Sequence, residues 1–307
     1  MAQLTISDLL TRLQAGQSLS RAELSDIDLS GICLDQGEFP RAFFRRTRLR
    51  QTSCRTINLC RATLTLADLT GSNLTLAQMS HAILTQANLS QADLGRVQAT
   101  DAQMLGVRLD RANAVQGCFD RADMQSASGP QARFNRASLV NSQLNEANFS
   151  CASFAEAHLV RSQWQRATLS GTSFVSADAT QVNFNQAILV GANLSEVNGI
   201  SAKLTDADLT AAVLRGAQFD CGHFQRAVLV DADLQQASLY NAKLEAANAS
   251  GADFSGADLR QAKLAHAKLN GARFEGAQVK GALFTQATGL SERQKQWLKR
   301  HGALNVF

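Results

Sequence analysis

From Leu24 to Phe284 a large apolar residue returns at nearly every fifth position. Of the 53 positions whose numbers end in 4 or 9, 45 hold Leu, Phe, Met or Trp. Two places earlier, Ala fills 37 of the 53 sites from Ala22 to Ala282. The register holds for 265 of the 307 residues without insertion or deletion. A strand alternates with period 2 and a helix repeats every 3.6 residues, so a strict period of five fits neither. It calls for a backbone unit that regains its orientation every five residues. The small and large apolar sites then face inward, and the other three positions lie near solvent or at a corner. Asp and Asn gather between the two inward sites, as at Asn88, Asp93 and Asn193, while Ser, Thr and Gly follow the large one.

The phrase is written twice in "QANLSQADLG", residues 86–95. It resembles that of the pentapeptide-repeat family, and the resemblance covers the whole 265-residue run. The implied fold is all-β: a right-handed quadrilateral β-helix solenoid in which four pentapeptides make a coil. The 53 repeats then give about 13 coils, stacked at about 4.8 Å. Each coil touches only its neighbours and buries about four large side chains, each worth roughly 1.5–3 kcal/mol.

This divides the chain into an N-terminal helical cap (1–20), the repeat solenoid (21–288) and a C-terminal segment (289–307). Ile6, Leu9, Leu10 and Leu13 share one helical face, with Gly16 as a stop. Ser291 and Gln294 have capping-box spacing, followed by Trp297, Leu298, His301 and a Gly302 stop. Two readings of this segment stay open: a cap over the last coil, or a homodimer contact through Trp297, Leu298, Leu304, Val306 and Phe307. Several proteins resembling this one dimerise through C-terminal helices. Ala99, Ala114 and Gly129 under-fill the core, and Met104, Phe119, Met124 and Phe134 are expected to take up the space. Gly129-Pro130 is expected to tighten a corner.

Composition adds limits. Net charge is +4 and charged residues are 18% of the chain, which is mildly basic and short of a dedicated nucleic-acid binder. No apolar run reaches membrane-spanning length. The first residues, "MAQLTISDLLTRLQAG", carry no basic leader or cleavage site. Six cysteines without Cys-x-x-Cys spacing suit a reducing compartment. The expected location is the cytoplasm, with leaderless export left open.

Motifs for phosphate cradling, zinc proteolysis or a nucleophilic serine do not occur. Cys221 and His223 come closest to a metal pair, and two ligands are too few. The expectation is therefore no catalytic residue, no cofactor, no metal and no enzyme, which leaves the surface.

Residues 20 apart stack if the coil holds. The column from residue 21 to 161 then reads Arg21, Arg41, Arg61, His81, Asp101, Arg121, Asn141, Arg161, and a neighbouring column reads Lys203, His223, Lys243, Lys263. Arg121, Arg161, Lys203, Lys243 and Lys263 thus mark a candidate basic edge. Residues 39–67 carry seven arginines and no acid: Arg41, Arg45, Arg46, Arg48, Arg50, Arg55 and Arg61. They form a candidate docking patch for an acidic protein. Val140, Val160, Ile188, Val190, Val228 and Val230 stand at usually polar positions and form a candidate apolar patch.

The functional expectation is a non-catalytic protein-interaction or scaffold module, as the resemblance implies for bacterial regulatory or secretion and effector systems. The alternative, a DNA mimic that binds type II topoisomerase, calls for an acidic surface and fits this charge poorly. No aromatic-lined groove for nucleic acid is evident.

Overall fold

The computed structural model describes residues 5–307, so the first four residues of the expected N-terminal cap lie outside it. The chain forms two compact units, one ending at Ser153 and one beginning at Phe154. In both, the backbone closes on itself every 20 residues. Parallel bridges join Glu23 to Phe43, Phe43 to Thr63 and so on to Arg133 and Ser153 in the first unit. In the second they run from His158 and Asp178 to Lys268 and Thr288. Each five-residue side contributes one bridging residue, so the β-helix is built from single bridges rather than from long strands.

Residues 84–92 show why the unit is five residues long. Asn88 N–H donates to Ala67 O at 2.9 Å, and its own carbonyl accepts from Leu69 N. On the other side Leu89 N donates to Arg108 O and Arg108 N to Ala87 O. Each side is thus paired on both edges. The chain then turns: Ala87 N donates to Leu84 O at 2.9 Å and Ala92 N to Leu89 O at 3.0 Å. These β-turns need a third residue with φ > 0, and Gln86 (φ 57°) and Gln91 (φ 60°) supply it. The same left-handed site recurs at most residues whose numbers end in 1 or 6, and most of them are not glycine. Gln91 N also donates to Asp110 O on the next coil, so the corner amide is satisfied.

The Asp and Asn between the inward sites close the corner. Asn88 Oδ1 accepts from Ser90 N at 3.1 Å and from Ser90 Oγ at 2.7 Å. Asp68 with Thr70, Asn193 with Ser195 and Asp208 with Thr210 repeat the motif. This is an Asx-turn, and it explains why Ser or Thr follows the large residue.

The inward sites are buried as the pattern predicts. Where a hydroxyl replaces Ala it finds a carbonyl: Thr47 Oγ1 donates to Leu24 O at 2.6 Å and Thr52 Oγ1 to Leu29 O at 2.9 Å. Trp164, fully buried, donates its indole N–H to Ser162 Oγ at 2.8 Å. The gap at Gly129 is filled from one coil further on. A Cβ there would lie 2.3 Å from the Phe149 ring, and Phe149 continues a cluster with Phe134 and Phe119. The expected fillers therefore omitted the ring that occupies the space. Gly199 makes the same room for Phe219 in the second unit.

Helix α1 (Ile6–Gln14) is capped by Thr5, whose side chain accepts from Asp8 N. Leu9 is fully buried, Leu10 and Leu13 are half-buried and Ile6 is 44% exposed. Helix α2 (Glu292–Arg300) carries the predicted capping box between Ser291 and Gln294. Gln294 Nε2 donates to Ala272 O at 2.7 Å and ties α2 to the preceding coil. Beyond Gly302 the chain returns to the ladder, where Leu304 bridges Leu283.

Two glycines separate the two constraints. Gly31 sits at a corner with φ 72° and open space around it, whereas Gly129 has no positive φ and no room. Gly31→Val should cost about 1–2 kcal/mol through backbone strain alone. Gly129→Ala should cost about 1–3 kcal/mol through overpacking. Chemical denaturation measures both, and Phe149→Leu should recover part of the loss for Gly129→Ala and none for Gly31→Val.

Candidate functional site

Because each coil takes 20 residues, neighbours in sequence scatter around it while residues 20 apart become neighbours. The seven-arginine run therefore does not form one patch. Arg41 and Arg61 sit at one corner column, Arg45 and Arg46 at the next corner, Arg48 on the following side, Arg50 at the third corner and Arg55 at the fourth. All seven are exposed.

Three of them are neutralised from adjacent coils. Arg46 grips Asp26 with two bonds of 2.6 and 2.8 Å. Arg48 meets Asp28 at 2.9 Å and Arg50 meets Asp68 at 2.5 Å. The Ser30 hydroxyl and backbone N–H, and then Arg48, hold the Asp28 carboxylate at about 2. The sequence run lacked acids only because its acids lie 18 or 20 residues away.

This pairing is a rule of the surface. Arg121 grips Asp101, Arg226 grips Asp206 and Arg273 reaches Asp253, each exactly one coil apart in number. Such exposed pairs contribute little stability individually, but they cancel charge locally. Arg121 therefore leaves the candidate basic edge as a paired residue, and Arg161 donates to Gln181 Oε1 at 3.1 Å.

Among the described residues, Arg21, Arg41, Arg45, Arg55 and Arg61 enter no ion pair. Arg21, Arg41 and Arg61 follow one another on successive coils. Beside them Phe43 bridges Thr63 and Thr63 bridges Ile83, and Phe43 is 42% exposed. This exposed aromatic between Arg41 and Arg45 was missed in the sequence. Its signal, a large apolar residue at an outward site beside a column of arginines, is visible only once the coil length is applied to the outward positions.

In the second unit Lys203, His223, Lys243 and Lys263 bridge one another in order. Lys243 Nζ lies 3.3 Å from His223 Nε2. The ammonium can only donate, so in this contact Nε2 is the acceptor. Burial first, then Lys243 and Lys203, hold the His223 pKa below its ordinary value, with Glu245 acting in the opposite sense.

The candidate apolar patch comes apart. Ile188 and Val190 are separated from Val228 and Val230 by the Asp208 and Thr210 coil, since Ile188 bridges Asp208 and Asp208 bridges Val228. Val140 lies in the first unit and Val160 in the second, both half-buried. At the C-terminus Leu298 is fully buried and Val306 nearly so. Both fill the chain's own interior. Leu304 is 50% and Phe307 78% exposed. Trp297 stacks on His301 with ring centroids 4.2 Å apart.

A cavity of ≈ 530 Å³ opens beside α2, lined by Phe274, Arg293 and Trp297 among others. A corner notch of ≈ 450 Å³ lies at Gly31, Gln51 and Gly71. Among the described residues no three His, Cys, Asp or Glu side chains gather as a metal site, and no helix is long and apolar enough to cross a membrane. Burial pushes the Cys54 thiol up to about 12, with Asp35 and Cys33 adding to it, so it is no thiolate nucleophile near neutral pH.

The His223 environment sets a pH dependence. Its folded pKa lies below the unfolded value of 6.5, so the unfolded chain takes up the proton first. The stability contribution is complete above pH 6.5 and is lost as pH falls from there through the folded pKa. Thermal unfolding at pH 7.5 and 5.5 should show a smaller acid-induced loss for His223→Gln than for wild type. An identical loss would contradict this placement of His223.

The sequence profile for pentapeptide repeats matches eight times, together spanning residues 42–125, 147–245 and 247–286. No curated protein gives a significant match. Among solved structures, HetL, a pentapeptide-repeat protein involved in heterocyst differentiation regulation in the cyanobacterium Nostoc sp. strain PCC 7120, is 24% identical. The alignment covers 92% of this chain and 97% of HetL, with a TM-score of 0.47. QnrB1, a plasmid-mediated fluoroquinolone resistance protein, is 18% identical over 54% of this chain and 81% of its own, with a TM-score of 0.34. A pentapeptide-repeat protein of the Arabidopsis thaliana thylakoid lumen is 27% identical over 41% of this chain and 78% of its own, with a TM-score of 0.26. The five-residue register, the 20-residue ladder and the profile matches over more than half its length agree: the chain belongs to the pentapeptide-repeat family.

Proposed function

We propose that the chain is a non-catalytic protein-interaction module whose β-helix, wound right-handed as in its family, presents unpaired cations to an acidic protein partner. One observation carries this reading. Arginines on this surface are repeatedly matched to an aspartate on the next coil, yet Arg21, Arg41 and Arg61 are stacked without one, beside the exposed Phe43. An unpaired positive column next to an exposed aromatic ring supplies both steering and burial to a partner.

The finer assignments belong to the same proposal. Residues 1–20 and 289–307 act as helical end caps on the solenoid of residues 21–288. Trp297, Leu304 and Phe307 remain available for a homodimer contact, while Leu298 does not. A role in a bacterial regulatory or secretion and effector system, in the cytoplasm, follows from the family resemblance. DNA mimicry toward a topoisomerase is disfavoured by the net charge of +4 and by the cationic columns.

The test is a charge reversal read against the partner captured at low salt and identified by mass spectrometry. Arg41→Glu combined with Arg61→Glu should weaken that partner at least tenfold. Arg55→Glu, at another corner, should leave it within twofold. Unchanged binding by the double variant would rule out this column as the docking site.

A further inference from the structure

The second unit carries a cationic ladder that the first-unit docking site does not explain. Lys203, His223, Lys243 and Lys263 occupy the same outward position on four successive coils. Like charges placed directly opposite each other across a bridge destabilise a sheet, and at Arg46, Arg121 and Arg226 this surface sets an aspartate one coil away instead. Here, among the described residues, no lysine of the ladder enters an ion pair. Glu245, two residues beyond Lys243, is the acidic neighbour, and it forms no ion pair with the ladder either. The corner residues Ser201, Cys221, Asn241 and Gln261 on one flank carry no formal charge. The flanking corners also hold Asp220 and Glu245, while Arg226 and Arg260 are paired with Asp206 and Asp258, so the lysines are the unpaired cations of this strip.

Its spacing selects a shape of partner. Successive rungs lie about 4.8 Å apart, so Lys203 to Lys263 spans about 14 Å. Side chains on one face of an α-helix advance about 5.4 Å per turn. Such a helix drifts from the ladder by about 0.6 Å per rung, or about 2 Å over three rungs, which a lysine side chain can absorb. An extended strand advances about 6.7 Å between side chains on one face and drifts by almost 6 Å over the same span. No aromatic side chain stands within the ladder to stack a base.

The geometry points to a docking strip for an acidic α-helix of a protein partner, lying along the ladder with Asp or Glu at i, i+4, i+7 and i+11 opposite Lys203, His223, Lys243 and Lys263. This rests on the interaction-module reading above but names a different surface and a different partner shape.

The experiment uses the full chain and a fluorescein-labelled, Ala-rich helical peptide with Glu at those four positions. A second peptide of identical composition distributes the four Glu around the helix. Fluorescence anisotropy at low salt should show the one-face peptide binding at least tenfold more tightly than the distributed one. Lys243→Gln should weaken the one-face peptide several-fold. Arg41→Glu with Arg61→Glu should leave this peptide's affinity within twofold. Equal binding of the two peptides, or no effect of Lys243→Gln on affinity, would overturn the proposal. So would displacement of the peptide by duplex DNA at equal phosphate and carboxylate concentration, which would identify a polyanion site instead. If the peptide fails while the first-unit partner remains sensitive to the Arg41 and Arg61 reversal, the ladder proposal falls and the module reading stands.

Discussion

The structure depends on one backbone arrangement: each bridging residue is paired with those 20 before and 20 after it, and a left-handed residue turns the chain at the intervening corners. Neither half works alone. A left-handed non-glycine residue costs of the order of 1–3 kcal/mol, and the corners contain many. They persist because the turn bond to the large residue, the bond to the next coil and the Asx closure satisfy the amides around them. The ladder in turn needs the corner to fall at the same place on every coil, which is why the register admits no insertion from Leu24 to Phe284.

That arrangement also writes the surface. Columns, not sequence runs, are the units of charge. Asp26 and Arg46, or Asp101 and Arg121, are distant in sequence yet bonded, whereas Arg45 and Arg55 are near in sequence and lie at different corners. Pairing between coils neutralises part of the apparent basic character. Among the cations left without an ion pair, Arg21, Arg41 and Arg61 stack in one column of the first unit, and Lys203, Lys243 and Lys263 share a column of the second. A stack of unpaired arginines beside an exposed ring is a stronger indication of a partner than a count of arginines.

The inward half of the fold was legible in the sequence because it is strictly periodic. Ala87, Leu89, Ala92 and Leu94 announced burial, and Ser291 with Gln294 announced a helix start that the structure reproduces. The outward half was only partly legible. The role of Asn88 in closing its corner lay in the recurring Asp and Asn letters, but their hydrogen bonds depend on a turn geometry that periodicity does not reveal. The arginine run misled because linear proximity was taken as spatial proximity before the coil length was applied to it. Val190 and Val230 misled for the complementary reason: they share a column but skip a coil, and Thr210 stands between them. Leu298 looked like a surface contact because α2 is mostly polar, yet it is the residue of α2 that turns wholly inward.

The most direct test of this account compares two insertions after Ser90 by thermal unfolding. One duplicates residues 91–110 and adds a complete coil; the other adds a single alanine. The duplication keeps every column, corner and ladder bond in register and is predicted to unfold cooperatively at a temperature no lower than that of the wild type. The single insertion displaces every later corner from its partner and is predicted to lower the unfolding temperature sharply and broaden the transition. If the single alanine is tolerated as well as the complete coil, the 20-residue register is not the constraint on which this structure rests.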